Sequence, residues 1–219
     1  MSRRSVETAS RRPRRRARRG EGDRLREEIL DATERLLLES GDQEAVSIRA
    51  VADAVGVTPP SIYLHFADKN ELIFAVCERY FARFDEVQER AAAEAPDDPV
   101  ARLAARGRAY IRFGLDNPEP YRVLFMTRAG QWPDSWTPER MVGISAFGHL
   151  VQAVQDCIDA GAFRDEGAMM MAVGCWVTVH GITSLLLTLP GFPWPDLDSL
   201  IEYLMTTPVE GLRPRPARP

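Results

Sequence analysis

From Arg24 to Thr206 apolar residues recur every three or four positions, and nowhere do they alternate over a strand length. That period lays them along one face of an α-helix, so the chain is restricted to an all-α fold. Glycines and prolines cut the pattern into segments. Leu25, Ile29, Ala32, Leu36 and Leu37 stripe a helix over Arg24–Glu39 that Gly41 ends, in the place of a left-handed cap. Ser47 caps a helix predicted over Ile48–Val55, and Gly56 closes it. A short helix follows at Pro59–Phe66, proline being tolerated in a first turn. Asp68 with Glu71 reads as a capping box that opens a long helix to Glu94. Beyond the break at Pro96–Pro99, helices are predicted at Val100–Asn117, Tyr121–Met126, Glu139–Ala160, Glu166–Leu189 and Leu197–Thr206. Gly130–Pro138, with Trp132 and Trp136, is a predicted loop.

Charge divides the chain. Residues 1–20 carry nine Arg and one Glu, a balance of +8, whereas the remainder carries 19 basic and 31 acidic residues, a balance of −12. A basic arm on an acidic body has a polyanion as its natural partner. The arm has no apolar run behind it, which excludes a secretory signal, and its like charges predict disorder in isolation. The other 199 residues are ample for a sizeable core, and three cysteines make no disulfide scaffold, so a reduced cytoplasmic compartment is expected. No Asp, Glu, Lys or Arg falls between Gly167 and Pro195. Ala168–Leu189 is long enough to cross a bilayer. Gly174, Thr178, His180, Gly181, Thr183 and Ser184 interrupt it, and no basic cluster flanks it. A helix buried on nearly every side, in a core or between subunits, is expected instead, and no membrane partner.

Val46–Lys69 reads VSIRAVADAVGVTPPSIYLHFADK, the grammar of helix, tight glycine turn, short helix. Ala52 is small where two helices must approach, and Val57 and Ile62 can pack the second onto the first. In a helix-turn-helix the second helix enters the major groove of DNA. The surface residues suit that role. Thr58, Ser61, Tyr63 and His65 can donate hydrogen bonds to phosphate oxygens, and Lys69, the sole lysine, opens the next helix. Arg49 can reach a guanine edge bidentately, and Pro59 and Pro60 can touch thymine methyls.

The string resembles the DNA-binding domain of the tetracycline-repressor (TetR) family: Ala50, Val51-Ala52, Gly56-Val57, Tyr63-Leu64-His65-Phe66 and Lys69-Asn70-Glu71-Leu72 stand at that family's offsets. The resemblance implies an N-terminal three-helix DNA-binding domain joined to a larger helical domain for ligand binding and dimerisation. It also implies that Arg49, Pro59, Pro60 and Leu64 face bases, while Ser47, Thr58, Ser61, Tyr63, His65 and Lys69 hold phosphates. The two prolines depart from the usual polar residues and point to apolar contact. Arg24–Asn70 has five basic and nine acidic residues, a net −4, so the arm is expected to assist phosphate binding.

In the body, Trp176-x-x-x-His180-Gly181 resembles a Trp-His-Gly signature of one subgroup of that family. His180 is either a hydrogen-bonded core histidine or a pocket residue. Tyr110, Phe113, Tyr121, Phe125, Phe147, Trp176 and His180 can line an apolar pocket, or simply form a helical core. Few charges fall on inner faces, so the expected effector is small and mainly apolar.

No phosphate loop, nucleophile elbow or His-Glu-x-x-His is present, and His and Cys show no metal-ligand spacing; an enzyme, a cofactor and a metal are not expected. Cys77, Cys157 and Cys175 read as buried helix residues. The expected organisation is an arm at 1–20, a DNA-binding domain at 21–70, an effector-binding and dimerisation domain at 71–207 and a mobile tail at 208–219. The expected function is a homodimeric, cytoplasmic repressor released from a palindromic double-stranded operator by its effector, with Glu71–Glu94 as the lever. The alternative is an effector-independent, architectural DNA-associated protein that uses the arm for general affinity.

Overall fold

The computed structural model describes residues 21–41, 45–125 and 145–214. The described residues form helices and connecting turns, with no strand among them. The arm, the loop with Trp132 and Trp136, and the start of the helix expected from Glu139 lie outside them.

The N-terminal helices begin and end where capping chemistry places them. α1 (Glu21–Ser40) stops at Gly41, whose φ of 62° is left-handed. α2 (Ile48–Val55) starts at Ser47, whose side chain accepts from the Ala50 N–H at 3.1 Å, and ends at Gly56 with φ 77°. The Gly56 and Val57 N–H groups both return to the Ala52 carbonyl at 2.9 Å, which makes the tight turn. α3 is shorter than expected, Pro59–Ile62. After Ile62 the backbone tightens: the His65 and Phe66 N–H groups both donate to the Ile62 carbonyl, at 2.9 and 3.1 Å. The residues to His65 are therefore turns, not helix.

α4 (Lys69–Glu94) is the long helix. The Asp68 carboxylate accepts from the Glu71 N–H at 2.8 Å, while Glu71 reaches back to the Ala67 N–H, one residue before the cap. The body follows as α5 (Pro99–Asp116), α6 (Pro118–Phe125), α7 (Ser145–Asp159), α8 (Ala168–Thr188) and α9 (Leu197–Leu212). α5 runs through its middle and touches α4, α6, α7, α8 and α9. Gly107 and Gly114 allow this: a Cβ on Gly107 would collide with Met205, and one on Gly114 with Thr183 and the Tyr121 ring.

One expectation needs correction. The chain is helical to Leu212, so 208–212 are not a mobile tail. The Arg164 N–H donates to the Leu212 carbonyl at 3.0 Å, its guanidinium to the Gly211 carbonyl, and Val209 and Leu212 pack on the body core. Within one chain the uncharged helix is covered on one side only, which leaves the alternative of burial between subunits open. It is long and apolar enough to cross a membrane, with a mean hydropathy of 1.6, but only 28% of that stretch is buried. α5 and α7 cover one side of α8 and leave Met169, Met170, Val173, Val177 and Leu185 exposed.

One core runs from the head into the body. Ile29, Leu30, Leu37, Val51, Ala52, Ile62 and Phe66 pack with Leu72, Val76 and Tyr80 of α4, and with Val123 and Leu124 of α6. Fully burying each such side chain is worth about 1.5–3 kcal/mol, so the head moves with α4 and α6 rather than apart from them.

Candidate nucleic-acid interface and the aromatic centre of the body

The helix-turn-helix divides its residues between core and solvent. Ile62 and Phe66 are buried, and between them Tyr63 and Leu64 project outward, Leu64 at 83% exposure. A leucine so exposed gains nothing from the fold and is available to a partner. Thr58 and Pro60 are exposed beside it, with Pro59, Ser61, His65 and Lys69 half-buried. The Thr58 and Ser61 hydroxyls lie 3.1 Å apart and orient one another. Ser47 and Arg49 are exposed at the start of α2. The Ser47 oxygen is used in capping, yet its own O–H remains able to donate. All ten residues expected on the DNA face therefore keep at least partial exposure, from Ser47 on α2 to Lys69 at the start of α4.

The acidic balance of the head is partly displaced from this face. Glu27, Asp31 and Glu34 lie one turn apart along α1 and meet α4: Arg79 is 2.9 Å from Asp31 and Arg83 is 2.6 Å from Glu34. These arginines lie beyond the window over which the head was counted as net −4. These pairs join residues 48 and 49 positions apart, which a count of charges along 24–70 does not contain.

In the body, the seven expected pocket residues form one cluster. Ring centroids lie 4.8 Å apart for Tyr121 and Phe125, 5.8 Å for Tyr121 and His180, 5.7 Å for Trp176 and His180, and 5.8 Å for Phe147 and Trp176. Phe84 of α4 completes it, 4.8 Å from Tyr110 and 5.1 Å from Phe113. Nothing in the sequence singles Phe84 out for this place in the cluster. The polar centre is His180. Its Nδ1 lies 2.7 Å from the Tyr121 hydroxyl and 3.1 Å from that of Tyr110, and its Nε2 is 3.4 Å from the Ser184 oxygen. Burial pushes the His180 pKa down and those of both tyrosines up. A neutral imidazole accepting at Nδ1 and carrying its proton on Nε2 satisfies this network.

A cavity of about 50 Å³ lies beside Tyr110, between Leu103, Gly107, Val179, Leu204 and Met205, and the other six pocket candidates do not line it. Pockets for drug-sized ligands run to roughly 300–1,000 Å³, well above this cavity. The cysteines offer little chemistry, since burial holds the Cys77 and Cys157 thiols up at about 12.

Comparison with known proteins agrees with this arrangement. Residues 29–76 match the family model for bacterial regulatory proteins of the tetR family, and residues 103–207 match that for the tetracyclin repressor-like C-terminal domain. Among curated relatives, the regulator AcrR of Shigella flexneri is 34% identical over 38% of this chain and 38% of its own length. The repressor KstR of Mycobacterium tuberculosis is 39% identical over 31% and 30%. The activator FasR of Mycolicibacterium smegmatis is 31% identical over 47% and 46%. The chain thus spans less than half the length of the curated relatives it matches. A protein of unknown function from Rhodococcus sp. RHA1 superposes with a TM-score of 0.74, 26% identity, and coverage of 87% of this chain and 96% of that one. A TetR family regulator from Marinobacter aquaeolei, at 21% identity and TM-score 0.67, shares the fold over 90% and 99%.

Proposed function

We propose, on the premise that this chain belongs to the tetracycline-repressor family by both its N-terminal and C-terminal domains, that it is a cytoplasmic, sequence-specific transcriptional regulator working as a homodimer on an operator in double-stranded DNA. The observation that carries the reading is the outward Tyr63–Leu64 pair between two buried anchors. Arg49, Pro59, Pro60 and Leu64 face the bases, and Ser47, Thr58, Ser61, Tyr63, His65 and Lys69 hold phosphates. The exposed apolar side of α8 supports the dimer: Met170, Val173, Val177 and Leu185 share it with Gly174 and Gly181, where an added Cβ would meet nothing. A second copy laid there removes a large apolar surface from water.

The effector is small and mainly apolar, recognised by the aromatic cluster with Tyr110, Tyr121 and His180 as its polar contacts. α6 supports coupling to DNA. Its Tyr121 and Phe125 belong to that cluster, while its Val123 and Leu124 lie in the core of the head. Parting the rings therefore moves α6, and α6 carries the head; the effector favours a spacing of the two heads that no longer fits the operator. Repression is the direction assigned, as for KstR by name, though FasR is named an activator.

Selection of duplexes from a random pool tests this. The expected product is an inverted repeat with half-sites about one helical turn apart. Recovery of unrelated duplexes, all displaced equally by scrambled DNA, would instead support general, architectural binding.

A further inference from the structure

We infer that Asp85, Glu89 and His149 form a binding site for one divalent first-row transition-metal ion. Asp85 and Glu89 stand one turn apart on α4, so their carboxylates share a face. His149 reaches them from α7, 64 residues on. Its Nδ1 lies 2.9 Å from Asp85 Oδ1 and 3.7 Å from Glu89 Oε1, and all three atoms fall within 4.8 Å of one another. Ligands held about 2.1 Å from one ion at angles near 90–110° stand roughly 3.0–3.4 Å apart. The two histidine–carboxylate separations, 2.9 and 3.7 Å, bracket that range, and the three groups, each on a rotatable side chain, lie close enough to turn onto one ion.

The surroundings suit a ligand set. Asp85 is buried, at 8% exposure, which is costly for a carboxylate unless a cation or donor faces it. Arg106 of α5 grips Glu89 through two hydrogen bonds of 2.9 Å. Each carboxylate oxygen has two lone pairs, so Arg106 serves as the outer partner that aims Glu89. Gln88, between the two acids, turns away to the Phe84 carbonyl. One imidazole and two carboxylates favour Zn²⁺, Mn²⁺, Fe²⁺ or Ni²⁺ over Mg²⁺ and Ca²⁺, which take all-oxygen sets. Three protein ligands leave positions open to water or to a donor atom of another molecule. The ion would tie α4, which leads from the DNA-binding head, to α7. The spacing of His and Cys alone hid the site, because its only histidine is brought to the acids by the fold.

The test uses tag-free, full-length protein stripped with EDTA and titrated with ZnCl₂, MnCl₂ and MgCl₂ separately, read by calorimetry and by metal content after dialysis. One Zn²⁺ per chain is expected, with MgCl₂ giving none. His149→Ala and Asp85→Asn should each weaken binding more than about tenfold, the least that loss of even an outer partner costs. Asp156→Asn, an exposed acid on the same α7, should change nothing. His149 is exposed enough that its loss leaves the fold intact, and unchanged metal-free melting verifies this for both variants. Absence of stoichiometric binding, or binding that both variants retain, reduces the cluster to an ordinary histidine–carboxylate ion pair and overturns the proposal.

Discussion

At the scale of single residues, His180 shows how a pattern becomes chemistry. The sequence left it between core and pocket, and in the structure it is hydrogen-bonded among aromatic rings and only partly covered. Burial lowers its pKa below the ordinary 6.5. The folded chain thus refuses a proton that the unfolded chain accepts. Stability is complete above that value and is lost as pH falls through it. Urea midpoints measured from about pH 7.5 to about pH 5.5 should fall in the native protein, and fall less in His180→Asn. Equal slopes in both would remove His180 from the account.

The helices were legible because their ends carry local chemistry. Ser47, Gly56 and Asp68, read as boundaries in the sequence, act at helix ends in the structure, while the caps Asp98 and Asp196 were not singled out. Reading failed where tertiary contacts decide. The last helix continues to Leu212 because Arg164, far away in sequence, holds its end. One side of α8 stays exposed because a run of uncharged residues does not say which chain will cover it. Gly114 is a position where the packing of α5, α6 and α8 meets. Gly114→Ala should destabilise the protein by about 1–3 kcal/mol, as overpacking does, measured by denaturant unfolding. An unchanged midpoint would mean that Thr183 and Tyr121 yield freely.

On the scale of the whole molecule, the proposal rests on the exposed side of α8 as the dimer face and on the basic arm as an aid to DNA binding. Val177→Asp places a charge at the centre of the apolar side and should convert a dimer to a monomer in sedimentation measurements at micromolar concentration. Its secondary structure should be unchanged, since Val177 is 60% exposed in one chain. The arm lies outside the described residues, and its role rests on its nine arginines. Removing residues 1–20 should weaken DNA binding broadly and flatten the slope of log K against log salt. An unaltered slope would make the arm irrelevant to affinity.

The central claim is that the turn between Ile62 and Phe66 reads DNA. Fluorescence anisotropy of the full-length protein on duplex from upstream of its own gene, with scrambled duplex as competitor, tests it most directly when paired with Tyr63→Ala. Competitor-resistant binding that weakens by about 1.5–3 kcal/mol in the variant, the worth of a hydrogen bond to a charged group, at unchanged unfolding midpoint, is the predicted result. Equally tight, equally competed binding by both proteins would contradict it.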